Sequence, residues 1–216
     1  MRGGLIKPNV TQNNLRYGIE DTNGSTAIRI TSNQVLHNGD EDIHLSGPDD
    51  RDAGHQIVNN TVDGNALEGI HVLRSNGDLI AGNTVRDHGA AGIYVKESDR
   101  NTLDANTLIN DPIQLVYGSS LSVLTGNTIV GQQIRFKEAS DNQVYGLTVR
   151  AEGGRPSVAY EFMSASRNRI ADSEAIEAAS YDIRAAAGSM GNVFTRSRGR
   201  QSSTAPSIRR RASASQ

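Results

Sequence analysis

The chain has 216 residues, enough for one domain of ordinary size, and it has no cysteine, which excludes disulfides, thiolate metal sites and cysteine nucleophiles. Hydrophobic residues make up 36% and aromatic residues 4%, without tryptophan, whereas Gly (22) and Asn (18) are abundant. The net charge of −2 combines two parts: residues 195–216 hold six arginines and no acid, which leaves 16 basic against 24 acidic residues elsewhere. Because no apolar run approaches the roughly 18 residues of a membrane span, we expect small interior side chains, many turns and no membrane contact.

Residues 1–12 are predicted to be an N-terminal segment or a partial cap. The first ten, MRGGLIKPNV, lack the apolar region of a signal peptide, so the location is unknown. A secreted or cell-surface location would need a signal upstream of this sequence. The segment offers no amphipathic helix to cover the end of a repeat array. We therefore expect an upstream domain or an end-to-end partner to cover it.

Residues 13–197 carry a repeat of 20 to 27 residues. Each copy has an aliphatic residue, an asparagine three positions later and a second aliphatic residue two positions after that, as in Ile30, Asn33 and Val35. The asparagines of the five clear copies are Asn33, Asn60, Asn83, Asn106 and Asn127. In three weaker copies the same position is held by Leu147, Ser173 and Ser197.

A short alternating strand lies between successive copies, as in GIHV and GIYV. Two or three short strands per repeat predict an all-β, right-handed parallel β-helix of about seven to eight turns, here called rungs, stacked about 4.8 Å apart. Asparagine amides would bond from rung to rung, and Gly69, Gly92 and Gly126 suit corners with unusual backbone angles. A leucine-rich repeat needs more leucines, and a β-sandwich would not repeat an asparagine.

The residue between the two inward aliphatic residues of each alternating strand is predicted to face outward. Stacked rungs place these residues in one column: Glu20, His44, His71, Tyr94, Gln114, Arg135, Glu161 and Asp182. Two residues further on, Lys96, Lys137 and Arg184 start a parallel column. Histidine and tyrosine can exchange protons or stack on sugars, and basic side chains can neutralise carboxylates. The column indicates a groove for a linear acidic polysaccharide, or else exposed positions filled by chance.

The acidic loop GDEDIHLSGPDDRD contains several carboxylates close together in the sequence, which is a possible metal-binding pattern. Carboxylates of Asp40, Asp42, Asp49 and Asp50 could hold Ca²⁺. The loop has neither EF-hand spacing nor a Gly-Gly-x-Gly-x-Asp repeat, so we favour a solvated loop and predict no cofactor. The chain also lacks the phosphate-binding Walker motif, GxGxxG and G-x-S-x-G.

Residues 198–216 are predicted to be a disordered basic tail, because they are mostly Ser, Arg and Ala with almost no apolar residue. A basic tail can contact nucleic acid or another anionic polymer. We favour a solvated terminus and do not predict a nucleic-acid partner.

The segment Leu15-Arg16-Tyr17-Gly18-Ile19, followed by Asn33-Gln34-Val35, resembles the catalytic rung of the mannuronan C5-epimerases. That rung carries Tyr-Gly-(Ile/Phe)-Asp-Pro-His. The likeness spans roughly residues 13–150 and extends to the wider β-helix class of carbohydrate-binding and sugar-hydrolysing proteins. Glu20-Asp21-Thr22 stands in place of Asp-Pro-His, so the family's histidine has no counterpart at that position.

The resemblance implies a mechanism in which a tyrosine and a histidine remove and return the proton at C5 of a uronate. His44 or His71 could replace the missing histidine by geometry. Our first hypothesis is therefore a C5-epimerase or β-eliminating lyase acting on an acidic polysaccharide, with catalytic residues Tyr17, His44, His71 and Tyr94. Its substrate-binding residues would be Lys96, Gln114, Arg135, Lys137 and Glu161. The second hypothesis is a noncatalytic β-helix segment that binds glycan or belongs to a larger solenoid, such as a surface protein or phage fibre.

Overall fold

The computed structural model describes residues 2–22, 24–47, 52–153, 158–177, 181–197 and 208–211. Within these ranges every regular element is a β-strand, and no helix is long and apolar enough to cross a membrane. The strands form three sheets, and each of the first eight turns of the chain adds one parallel strand to each sheet in the same order, whereas the last two strands both join one sheet. The predicted all-β parallel solenoid is thus confirmed, with about eight turns, while its right-handedness stays a prediction.

Each sheet is given by its strands in spatial order. Sheet A contains β1 (Arg2–Ile6), β4 (Thr26–Thr31), β7 (Gln56–Val58), β10 (Leu79–Ala81), β13 (Thr102–Asp104), β16 (Val123–Thr125), β19 (Gln143–Tyr145), β22 (Arg169–Ala171), β25 (Asn192–Thr195) and β26 (Ile208–Arg211). Sheet B contains β2 (Val10–Gln12), β5 (Gln34–Leu36), β8 (Thr61–Asp63), β11 (Thr84–Arg86), β14 (Thr107–Ile109), β17 (Thr128–Val130), β20 (Thr148–Arg150) and β23 (Glu174–Ile176). Sheet C contains β3 (Ile19–Asp21), β6 (Ile43–Ser46), β9 (Glu68–Leu73), β12 (Ala91–Lys96), β15 (Ile113–Val116), β18 (Ile134–Lys137), β21 (Val158–Met163) and β24 (Tyr181–Ala185).

The two ends of the chain bear on the predicted domain boundaries. Within residues 1–12, β1 pairs with β4 and β2 pairs with β5, so this segment contributes strands to the first rung. Of the tail 198–216, the described part is β26, which pairs in parallel with β25. The remainder of the tail lies outside the described residues, and its disorder stays a prediction.

The core is a narrow column of aliphatic side chains along the solenoid axis. The paired residues of sheet C that were predicted to point inward are buried: Ile43/Leu45, Ile70/Val72, Ile93/Val95, Ile113/Leu115 and Ile134/Phe136. Stacked residues such as Ile57 and Ile80 of sheet A, or Val62 and Val85 of sheet B, complete the interior. Because each strand spans only a few residues, small branched side chains fill this interior, and the low aromatic content follows.

The predicted asparagine ladder is present at the corner between sheets A and B. Asn60 Nδ2 donates to Asn83 Oδ1 at 3.0 Å, and Asn83 Nδ2 donates to Asn106 Oδ1 at 2.9 Å. The same bonds run from Asn9 to Asn127. Ser173 continues the ladder by accepting from the Leu147 backbone N–H at 3.1 Å. Each amide from Asn33 to Asn106 is therefore paired with the next rung, and Asn127 donates to the Leu103 carbonyl instead, which avoids the cost of an unpaired polar group.

A second ladder, which the sequence analysis missed, lies at the corner between sheets C and A. Its buried members are His55, Asp78, Asn101, Ser122, Asn142, Asn168 and Asn192. The side chain at each step accepts from the backbone N–H of the preceding member, so residues of different type can share one role.

The three glycines assigned to corners have two different roles. Gly126 has a left-handed φ of +59°, as predicted for a corner. The prediction is wrong for Gly69 and Gly92, which are not among the positive-φ glycines of the described residues. They are needed for space instead: a Cβ on Gly69 would lie 2.8 Å from His88 Cε1, and one on Gly92 would lie 2.7 Å from the Asp111 Cβ.

Candidate functional site

The outer face of sheet C carries the predicted column of polar side chains. Parallel pairing places Glu20, His44, His71, Tyr94, Gln114, Arg135, Glu161 and Arg184 side by side in successive rungs. The predictions of Asp182 as the last member and of Arg184 in the parallel column are both wrong, because β24 pairs Arg184 with Glu161. Lys96 and Lys137 belong to the neighbouring column, with Val116 between them.

Four rings form a continuous row at the start of this column. Tyr17, from the turn before β3, stacks on His44 with ring centroids 5.0 Å apart and planes at 27°. His44 meets His71 edge to face at 5.0 Å, and His71 meets Tyr94 in the same way at 5.1 Å. The structure thus brings together all four side chains that were predicted to be catalytic, while their roles stay predictions.

The carboxylate of Glu41, which lies in the turn between β5 and β6, contacts the two imidazoles of this row. Glu41 Oε1 lies 2.9 Å from His71 Nδ1 and 3.6 Å from His44 Nδ1. One ligand atom from each of the three residues lies within 4.8 Å of the others. Glu41 is 8% exposed and His44 is 8% exposed, so the three groups are largely shielded from water. Such a set of two imidazoles and one carboxylate matches the ligands of many divalent transition metals.

Two imidazole nitrogens of this cluster have no hydrogen-bond partner among the described residues. They are His44 Nδ1 and His71 Nε2, both inaccessible to solvent. A buried polar atom is normally paired, and an unpaired one calls for an explanation such as a bound ion. These unpaired ring nitrogens make the cluster a candidate metal site.

The charge of Glu41 decides which imidazole nitrogen carries a proton. Burial alone would raise the pKa of Glu41, but the hydrogen bond from His71 and the nearby imidazole of His44, whose Nδ1 lies 3.6 Å from Glu41 Oε1, lower that pKa well below its ordinary value. An ionised Glu41 accepts a hydrogen bond, so His71 Nδ1 donates it. In the neutral ring, Nε2 then keeps a lone pair for a ligand.

The same Glu-x-x-His spacing occurs twice in the site. Ile43 pairs with Ile70, so Glu68 and His71 repeat Glu41 and His44 one rung along. Burial raises the pKa of Glu68, with a further increase from the negative charge of Glu41, although His71 acts against both. The sequence pattern places Glu41 in an acidic loop and does not single out Glu68. Two Glu-x-x-His segments one repeat apart are the signal that could have identified both.

A basic pocket follows the imidazoles on the same face. Its cavity of about 370 Å³ is lined by Tyr94, Gln114, Val116, Tyr117, Arg135, Lys137, Glu161, Met163 and Arg184. Glu161 is 1% exposed and pairs with Arg135 Nε at 2.5 Å and with Arg184. Glu161, predicted to bind substrate, therefore lies beneath the two arginines, where it can orient their guanidinium groups.

Two cationic side chains border the basic pocket on either side of Tyr117. Lys137 Nζ donates to the Tyr117 hydroxyl at 2.7 Å, and Lys96 Nζ lies 5.7 Å from the centre of that ring. Three cations against one carboxylate in the lining leave the pocket positively charged, so it suits an anionic ligand.

The acidic loop does not gather the carboxylates proposed for Ca²⁺. Asp40 pairs with Arg16 at 3.1 Å. Asp42 is fully buried and accepts from Asn38 Nδ2 at 2.7 Å. Asp49 and Asp50 lie outside the described residues. Among the described carboxylates, the prediction of a shared Asp40–Asp42 site is therefore wrong, because the two side chains bind different partners.

Fold and site together define a parallel β-solenoid with an imidazole–carboxylate cluster on the outer face of one sheet. Residues 3–148 match the family described as "Periplasmic copper-binding protein (NosD)", and the chain belongs to this family. That description does not fit our expectation of no cofactor. The likeness to mannuronan C5-epimerases stays a prediction.

Two further comparisons complete these findings. No curated protein matches the chain. Among solved structures, the chain is similar to HetL, a pentapeptide repeat protein involved in heterocyst differentiation regulation from the cyanobacterium Nostoc sp. strain PCC 7120. The identity is 10% and the TM-score 0.26, over 80% of this chain and 86% of that chain.

Proposed function

We propose that the chain binds a copper ion through the imidazoles of His44 and His71, with Glu41 as the charged partner that orients His71. The observation that carries the proposal is the convergence of three donor groups within 4.8 Å, two of which hold buried nitrogens without a hydrogen-bond partner among the described residues. The three residues lie inside the part of the chain that matches the copper-binding family.

The donor types favour copper(II) over copper(I). Copper(I) selects thiolate and thioether ligands, whereas imidazole and carboxylate suit copper(II), nickel and zinc. The chain has no cysteine, and the described methionines, Met163 and Met190, are not part of the cluster. Copper(II) binds such nitrogen and oxygen donors more tightly than the other divalent metals of its row.

Each residue of the cluster has a distinct task in this proposal. The imidazoles of His44 and His71 supply neutral nitrogen donors, and the ionised Glu41 supplies negative charge and orients His71. Tyr17 covers one face of His44 and restricts access of water. A bound copper ion would supply a Lewis acid and a one-electron redox centre.

Titration calorimetry with copper(II) and with zinc, supported by electron paramagnetic resonance, tests the proposal. We expect one copper(II) per chain, nitrogen hyperfine coupling from two imidazoles, and weaker binding of zinc. His44→Ala and His71→Ala should each abolish the copper signal. The matched control is His37→Ala, because His37 is an exposed histidine outside the cluster. If both site variants bind copper(II) with the affinity of the wild-type protein, the proposal is overturned.

A second candidate function is C5 proton abstraction on a uronate polysaccharide, of the epimerase or lyase type. Its support is the ring row of Tyr17, His44, His71 and Tyr94 beside the basic pocket. Burial raises the pKa of Tyr17 and of Tyr94, which keeps both hydroxyls protonated as donors and leaves a histidine to act as base. Lys96, Gln114, Arg135 and Lys137 would bind the carboxylates and hydroxyls of the chain.

Alginate and pectate test the second candidate. We expect exchange of the C5 proton with solvent, or ultraviolet absorbance from an unsaturated product. Added copper(II) should block turnover if the first proposal is also right, because His44 and His71 would become ligands. Binding of these polymers without turnover would instead support a noncatalytic glycan-binding solenoid. If neither binding nor turnover is detected, the uronate function is excluded.

A further inference from the structure

We propose that His88 is a positioning residue that fixes Glu41 beside His44 and His71 by holding the turn between β5 and β6. The inference rests on the proposed copper site, but it concerns a different group of side chains. This group, Asp42, His88 and Asp111, is here called the buried triad, and it lies inside the solenoid at the corner between sheets B and C.

The buried triad ties together three rungs through one imidazole. His88 Nδ1 lies 2.6 Å from Asp111 Oδ2, and His88 Nε2 lies 3.0 Å from Asp42 Oδ2. All three side chains are 0% exposed. Asp111 Oδ1 also accepts from the His88 backbone N–H at 2.9 Å. With both ring nitrogens bonded to carboxylates, the imidazole is held in one orientation, as expected of strong charge-assisted hydrogen bonds.

His88 reaches Asp42 by passing the rung that lies between them. That rung carries Gly69, and a Cβ at this position would lie 2.8 Å from His88 Cε1. A side chain on residue 69 would therefore push the imidazole away from Asp42. Gly69 is the residue between Glu68 and Ile70 of the second Glu-x-x-His segment, so the space for the triad is part of the site's own repeat.

Asp42 transmits this constraint to the adjoining Glu41. Its carboxylate is held by His88 and by Asn38. Its backbone N–H donates to the Glu68 carbonyl at 3.2 Å, and the Glu41 carbonyl of the same peptide accepts from the Gly18 N–H at 3.3 Å. The peptide that joins Asp42 to Glu41 is thus anchored to the rungs on both sides. Since Glu41 is only one residue away, the direction of its side chain toward His71 depends on this anchor.

The experiment compares His88→Asn with Asn168→Ser. Asn168 is equally buried and bonds its own ladder, in which Asn142 and Asn192 are its neighbours, so its loss should destabilise the fold without touching the site. Two readouts are measured: the proton resonance of His71 Nδ1–H in the copper-free protein, and the Kd for copper(II). The first reports the Glu41–His71 hydrogen bond without any metal.

We expect His88→Asn to remove or shift the His71 Nδ1–H resonance and to weaken copper binding by about tenfold, the lower end of the loss for an outer-shell partner, because His88 acts on Glu41 through Asp42. Asn168→Ser should change neither readout. If His88→Asn does not fold, Asp111→Asn, which loosens His88 but keeps Asp42, is expected to act in the same direction. Unchanged readouts in the folded variant would overturn the positioning role. A wild-type protein that binds no copper, but whose His71 resonance responds to His88→Asn, would overturn the copper function alone.

Discussion

His71 Nδ1 lies 2.9 Å from Glu41 Oε1, although the two residues are 30 positions apart in the chain. The contact crosses from one rung to the next, because Glu41 precedes β6 and His71 lies in β9, which pairs with β6. The candidate site is therefore built by neighbours in the stack and depends on the register between these two strands.

Glu41→Gln is expected to weaken copper(II) binding by about tenfold or more, because it removes a charge that the metal would use and a strong acceptor for His71. Glu20→Gln is the matched control, since Glu20 is an exposed carboxylate in the same column and one rung away from His44. Calorimetry on the two variants checks this prediction. If the two variants lose the same affinity for copper(II), Glu41 acts only through its contribution to the net charge on the outer face of sheet C.

The buried triad predicts a fall in stability at alkaline pH. Burial alone would lower the pKa of His88, but hydrogen bonds to Asp111 and Asp42 raise it from 6.5 to about 9. The charged imidazole therefore stabilises the folded state fully below the unfolded pKa, and this stabilisation disappears as the pH rises to about 9. The shift corresponds to a loss of about 3 kcal/mol. Urea unfolding at a series of pH values measures it, and His88→Asn should flatten the curve.

Asn83→Ala tests the ladder between sheets A and B. The substitution leaves the Asn60 amide and the Asn60 backbone N–H without their shared acceptor, and both are buried. We expect a loss of about 1–3 kcal/mol in the free energy of unfolding, the cost of leaving buried polar groups unpaired. The exposed neighbour Thr84 provides the control Thr84→Ala, which should cost much less. Similar losses in the two variants would contradict a role for the ladder in stability.

Gly69→Ala and Gly126→Ala separate the two reasons for glycine in this fold. At Gly126 the space is open but φ is +59°, so alanine should cost about 1 kcal/mol through backbone strain alone. At Gly69 a Cβ would meet the Gly92 carbonyl and His88 at 2.8 Å, so we expect the larger loss, about 1–3 kcal/mol. Gly69→Ala should also displace the His88 ring resonances. An unchanged His88 spectrum would count against the steric explanation.

Alternation along the strands made much of the site predictable. In a parallel stack, a residue between two buried aliphatic neighbours must point outward, so His44 and His71 could be placed on one face from the pattern alone. The asparagine ladder could be predicted because each asparagine keeps the same offset from its two aliphatic neighbours in every clear repeat, which places the asparagines above one another.

Turns and inward polar groups could not be predicted in this way. Glu41 reaches the imidazoles from a turn, whose path no strand period determines. His88 lies in a corner and faces the interior, where the pattern of aliphatic residues gives no indication of a charge. In the last rung, the sequence pattern places Asp182 beside Glu161, whereas the strands pair Val158 with Tyr181 and therefore Glu161 with Arg184.

Direct pairing of His44 with His71 means that the separation of two adjacent outward side chains is fixed by the spacing between parallel strands, about 4.8 Å, whatever their position along the axis. Each rung of sheet C therefore offers one outward position, at a constant distance from the next. A single outward substitution could create a second pair of imidazoles one rung further along. An example is Tyr94→His, which would place a histidine beside His71 and Glu68 without any change in the buried aliphatic column. In this architecture, a metal site can move along the protein while the core stays as it is.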